Sequence, residues 1–230
     1  MLNWVLSQED ALHKINEKIM RCKTCPRLAK YIRDVGKIKT KKYMDQAYWA
    51  KPVPTFGDPK AKLLVIGLAP AANGGNRTGR IFTGDSSGDW LVRALFETGF
   101  ANKPTSISND DGLILKDVYL SATVKCAPPQ NKPNLSEISN CSQYLMSEIK
   151  VLDETTKVIV TLGKIAFDAY STVCHVKKLK FGHNKIYPVH NDKTLIVSYH
   201  PSRRNTNTGT LTWQMWINIF ETARRIINDK

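Results

Sequence analysis

The sequence predicts an α/β protein in which helices cover both faces of a parallel sheet, and two observations carry that prediction. Four short apolar runs, Lys62–Leu68, Asp117–Val124, Val158–Leu162 and Leu195–Tyr199, alternate with stretches of helical periodicity. The first of them, KLLVIGL, is apolar almost throughout, the pattern of a strand covered on both faces. In such sheets the loops leaving the strands' C-terminal ends build the site. Here those loops start at Ala69, Lys125, Gly163 and His200.

Taken in order, Ser7 caps an amphipathic helix with Leu12, Ile15 and Ile19 at helical spacing, running to about Arg21. Lys37–Lys42 and the segment with Pro52, Pro54, Gly57 and Pro59 read as loop. After the first strand, a Gly- and Asn-rich loop from Ala69 to Ser87 leads to a helix over Gly88–Thr98, with Trp90, Leu91, Ala94 and Leu95 on its apolar face. Ser136 caps a helix reaching about Val151, Gly163–Tyr170 is helical, and Leu211–Ile227 is a terminal helix. There is no internal repeat.

The chain has 230 residues, 42% of them hydrophobic and 23% charged, which excludes general disorder and fits one domain. That domain is expected to pack an N-terminal helix and cysteine segment, 1–60, on an α/β core, 61–230. Its apolar runs fall short of the roughly 18 residues that span a bilayer, and Met1–Asp10 lacks the basic and apolar regions of a secretory signal. A cytoplasmic, intracellular protein with no membrane partner is expected. The 34 Lys+Arg against 20 Asp+Glu give a net charge of +14, which points to a polyanionic partner.

Of the five cysteines, Cys22 and Cys25 form a C-x-x-C, and Cys126 and Cys141 have 14 residues between them. Four thiolates suit a zinc ion or an iron–sulfur cluster, and buried thiols are the plain alternative. The spacing does not choose among them. Cys174 has no partner at ligand spacing and reads as a core thiol.

The Gly-rich loop lacks both the G-K-[ST] of a P-loop and a G-x-G-x-x-G. Its combination with distant motifs is informative. Gly67-Leu68-Ala69-Pro70, Asn76-Arg77-Thr78-Gly79-Arg80, Phe82-Thr83-Gly84-Asp85, Lys125-Cys126-Ala127-Pro128-Pro129, Asn131-Lys132-Pro133 and His200-Pro201-Ser202 occur in this order. With the four cysteines, they make the chain resemble the uracil-DNA glycosylase superfamily, and most closely its type B, or family 5, enzymes.

That resemblance implies a three-layer α/β/α fold with a central four-stranded parallel sheet, and a structural [4Fe–4S] cluster on Cys22, Cys25, Cys126 and Cys141. It implies a repair enzyme that removes uracil, and in our reading other deaminated bases such as hypoxanthine, from DNA and leaves an abasic site. Such an enzyme extrudes the nucleotide into a pocket. The resemblance gives Phe82 as the stacking face, with Gly67, Ala69, Ala122 and Ser202 lining the substrate site.

Cleaving the N-glycosidic bond leaves negative charge on the departing base and positive charge on the sugar, so the site needs an anion donor and a carboxylate or positioned water. His200 suits the first task. By resemblance, Asp85 and Asn131 share the second, since the Gly67–Pro70 motif holds no polar side chain; Asp85 also suits an N-cap of the next helix. Ala122 stands where related thermostable enzymes place an Asn that reads uracil, which implies a less discriminating pocket.

Arg203, Arg204 and Asn205 are expected at DNA, and Lys37, Lys39, Lys41, Lys42, Lys177, Lys178 and Lys180 are candidate phosphate contacts. A monomer is expected because a duplex must reach the pocket. The alternatives are a non-catalytic nucleic-acid-binding iron–sulfur protein and an iron–sulfur electron carrier.

Overall fold

In the computed structural model, residues 7–229 are described; Met1–Leu6, on which part of the signal-peptide reading falls, lie outside them. Six strands form one sheet: β1 (Phe56–Gly57), β2 (Leu63–Gly67), β3 (Val118–Ala122), β4 (Val158–Leu162), β5 (Lys185–Val189) and β6 (Lys193–Ser198). Their order is β1-β3-β2-β4-β6-β5. The four inner strands are parallel, as the sequence predicts. The edges differ, because β1 pairs with β3 and β5 with β6 in antiparallel fashion.

Every residue of β2, β3 and β4 is buried, so these strands read as continuous apolar runs. Alternate side chains nevertheless enter different layers. Leu63, Val65, Leu120, Val160 and Ile196 pack on one face with α4 (Ser86–Glu97) and α8 (Trp213–Asp229), where Trp216 and Phe220 are fully buried. Leu64, Ile66, Ile159 and Val197 pack on the other with α1 (Gln8–Met20), α5 (Leu135–Leu152) and α6 (Lys164–Val173). The result is a three-layer α/β/α arrangement.

A third, smaller cluster joins Leu28 and Ile32 of α2 (Pro26–Lys37) to Val124, Cys126, Ala127 and Cys141. Helix α2 is an addition to the elements expected from sequence: Pro26 occupies the first helical turn, where its missing N–H costs nothing, and Leu28 and Ile32 stand at i, i+4. Two other boundaries move. Helix α4 starts at Ser86 with Asp85 as its cap, and α5 is capped by Asn134 in a reciprocal arrangement with Glu137, rather than by Ser136. Two short helices, α3 (Gly75–Thr78) and α7 (Arg203–Asn207), sit within the loops after β2 and β6. Among the described residues, no helix is long and apolar enough to cross a membrane.

Candidate active site

The loops from β2, β3 and β6 converge at the sheet's C-terminal edge, and Asp85 is held there by helix capping. Its Oδ1 accepts hydrogen bonds from the backbone N–H of Ser87 (3.0 Å) and Gly88 (3.1 Å). Oδ2 makes no hydrogen bond among the described residues and lies against Gly74, where an added Cβ would come within 2.1 Å of it. Gly74 is therefore needed for the carboxylate to reach the first loop. Burial raises the Asp85 carboxyl above its ordinary 3.8, outweighing the two backbone donors and the nearby Arg77. One oxygen is thus committed to the helix, and the other is a basic acceptor facing the loop.

Phe82 stands three residues earlier with φ of +51°, a conformation that costs an aromatic residue about 1–3 kcal/mol. Its ring approaches the end of β2 so closely that a Cβ on Gly67 would lie 2.5 Å from ring Cζ, and a Cβ on Gly88 would lie 2.3 Å from its carbonyl oxygen. The flanking chain is clamped by Arg80, a role that its place in the Asn76–Arg80 motif does not by itself reveal. Its guanidinium bonds Thr83 Oγ1 (2.9 Å), Ser106 Oγ (2.9 Å) and both oxygens of Asp111 (2.8 Å each). Burial alone would raise the Asp111 carboxyl, but Arg80 and the backbone N–H groups of Ile107 and Leu113 outweigh it and hold it down to about 2.

Ala122 is the register partner of Gly67 and projects onto the same face of the sheet as Phe82. Phe82 and Ala122 are both buried there, and the side chain beside the end of β2 at position 122 is a methyl group rather than a polar one. Ala69 packs instead toward Cys126 and α2.

His200 follows β6. Burial pushes its imidazole down to about 4 from an ordinary 6.5, so the ring is neutral at physiological pH. Gly163, at φ of +88°, makes room for it, since a Cβ there would sit 3.2 Å from His200 Cβ. The loop is tied on both sides of the ring: Asn205 Nδ2 donates to the His200 carbonyl at 2.8 Å, and Ser87 Oγ donates to the Pro201 carbonyl at 3.1 Å. Ser202 caps α7, its hydroxyl accepting from the Asn205 N–H.

The other sequence candidates are more exposed or make their contacts through the flanking loops. Asn131 is exposed in a short turn with φ of +57°, a left-handed conformation that Asn tolerates, and makes no hydrogen bond to Asp85 or His200. Arg203 and Arg204 are exposed, Arg203 Nε reaching Ser86 Oγ at 3.2 Å. Asn205 is half-buried against the His200 loop. Lys41 and Lys42 lie on a 3-10 turn, where Lys42 and Arg77 stack on Tyr43 beside the start of α4. Lys177, Lys178 and Lys180 are exposed before Phe181, which packs on Tyr199 at the exit of β6.

Cys22, Cys25, Cys126 and Cys141 line one cavity, closed by Leu28, Pro52 and Tyr144. Among the described residues, no three His, Cys, Asp or Glu side chains are grouped to ligate a single ion. Burial pushes the Cys141 thiol up to about 11 and the Cys126 thiol higher still, and each is raised further by the other cysteines of the set. The Cys22 thiol moves the other way, burial being outweighed by its hydrogen bonds with Thr24 and Tyr144. Cys174 is half-buried and packs against the α6 side of the core from its edge, rather than lying within it.

The family model of the uracil DNA glycosylase superfamily matches residues 54–224. A type-5 uracil-DNA glycosylase of Thermus thermophilus is 43% identical over 212 residues, covering 91% of this chain and 95% of that protein. Those of Pyrobaculum aerophilum and Mycobacterium leprae are 42% and 39% identical, covering 85% and 94% of this chain and 84% and 96% of theirs. With identity at this level along nearly the whole chain, and Asp85, Phe82 and His200 brought to one sheet edge, the chain belongs to the uracil DNA glycosylase superfamily.

Proposed function

We propose that this protein removes uracil from DNA by hydrolysing the N-glycosidic bond. The observation that carries the reading is the pairing, across one sheet edge, of a carboxylate with a free basic oxygen and a neutral imidazole. The Asp85 Oδ2 accepts a proton from a water whose oxygen forms the new bond to sugar C1′, while the bond from C1′ to the base nitrogen breaks and its electron pair leaves with the base. The His200 ring N–H donates a hydrogen bond to the oxygen on which that charge accumulates, without giving up its proton. Phe82, fixed by Arg80, offers the stacking surface for the extruded base. Arg203, Arg204 and the lysines flanking both sides of the site supply contacts to the phosphates, and a monomer leaves that surface open to the duplex. Asn131, on its exposed turn, is the second water-positioning residue of this reading.

Hypoxanthine is a second substrate in this reading. With a methyl at Ala122, a wrong base leaves no buried polar group unpaired, so rejection is weak. Duplexes carrying a single U·G, hypoxanthine·T or T·A pair, treated with alkali after incubation, test both statements. Strand breaks at uracil and hypoxanthine but not at thymine are expected, and Ala122→Asn is expected to depress hypoxanthine release relative to uracil by about tenfold or more. Release of uracil alone by the wild type would overturn the broader substrate range; release of neither would overturn the reading itself.

We propose further that Cys22, Cys25, Cys126 and Cys141, which line one cavity, hold a [4Fe–4S] cluster. When bound, such a cluster supplies a crosslink among the α2 entry, the β3 exit loop and α5. Iron with equimolar acid-labile sulfide in anaerobically purified protein is the expected result. Zinc in its place, or neither, would contradict the assignment.

A further inference from the structure

We propose that Ser87 and Asn205 are positioning residues that fix the His200 loop to the helix end carrying Asp85. The inference rests on the glycosylase reading and deepens it. The two residues are 118 positions apart in sequence, and each spends a side-chain donor on one carbonyl of the His200-Pro201 pair: Asn205 Nδ2 on His200 O at 2.8 Å, Ser87 Oγ on Pro201 O at 3.1 Å. Ser87 is also one of the two residues whose backbone N–H binds Asp85 Oδ1, at 3.0 Å. A single residue thus contacts both halves of the chemistry, its amide holding the carboxylate and its hydroxyl holding the imidazole loop.

The geometry needs such a tie. Within the described residues the His200 ring itself makes no hydrogen bond or ion pair, so its direction is set by the backbone on which it is carried. Pro201 has no N–H, which leaves the two carbonyls as the anchors of the loop on this side. Asn205 is held for the task in turn, its N–H bonded to Ser202 Oγ and its carbonyl accepting from the Leu211 N–H at 3.0 Å. An asparagine whose amide is committed inward is a support for the ring. Placement errors near 1 Å at a reacting centre cost up to about a hundredfold in rate.

The test measures single-turnover uracil release and duplex affinity for Ser87→Ala, Asn205→Ala, the hydroxyl-retaining Ser87→Thr, and each alanine variant combined with His200→Ala. Ser87→Ala and Asn205→Ala are expected to lower the rate at saturating protein by about tenfold or more while Kd for a uracil-free duplex stays within about twofold. Ser87→Thr is expected to restore the rate. In the His200→Ala background the same two changes are expected to cost less than about twofold, because they act through the absent ring. Full additivity there, or an Asn205→Ala defect confined to Kd, would overturn the proposal. Wild-type protein that releases no uracil would instead overturn the glycosylase reading, so the two failures are distinguishable.

Discussion

Asp85→Asn is expected to lower single-turnover uracil release by about 10²- to 10⁴-fold, the usual contribution of a positioned proton acceptor, while the protein folds and binds duplex DNA as before. The separation is possible because Asp85 has two roles on different oxygens. Oδ1 caps α4 through Ser87 and Gly88, and asparagine caps a helix about as well as aspartate. Only the second role, a charged oxygen facing Gly74, is lost. Because burial raises the carboxyl, the wild-type rate is expected to fall with decreasing pH through a limb above the ordinary carboxylate value of 3.8. Measuring rate against pH for both proteins checks this: the limb belongs to the wild type, and the variant profile is flat there.

The second large effect is at His200. Removing the ring in His200→Ala is expected to slow release by about 10²- to 10³-fold, the cost of losing one donor to a developing anion. The rate should show no limb from the imidazole near 6.5, because the ring is neutral down to about pH 4. The same depression sets the sign of its effect on stability. Between 6.5 and about 4 the unfolded chain binds a proton that the folded site excludes, so the stabilisation is present above 6.5 and lost as pH falls toward 4. Chemical denaturation across that range, wild type against His200→Ala, reads the difference as a shallower pH dependence in the variant.

The inner sheet was legible because β2, β3 and β4 are buried along their whole length, and that produces the unbroken apolar runs. The edges were not. β1 is two residues long, and β5 exposes Lys185, Ile186 and Pro188, the composition of an edge strand that sequence reads as loop. At the site, Asp85, Phe82 and His200 were legible from motif order. The ties that aim them were not, since Ser87 meets Pro201 across 114 residues and Arg80 meets Asp111 across 31. Gly67, Gly74 and Gly163 carried a signal that only geometry explains: each is where a side chain or a strand end closes on backbone.

The most direct test of the account places wild type, Asp85→Asn and His200→Ala on one U·G duplex at saturating protein, with uracil release followed by single turnover and binding measured in parallel. Rapid release by the wild type, loss of release by both variants and equal binding by all three are the predicted results. Equal binding with no release even by the wild type, or an Asp85→Asn rate equal to the wild type's, would contradict a hydrolytic site built on the carboxylate at the start of α4.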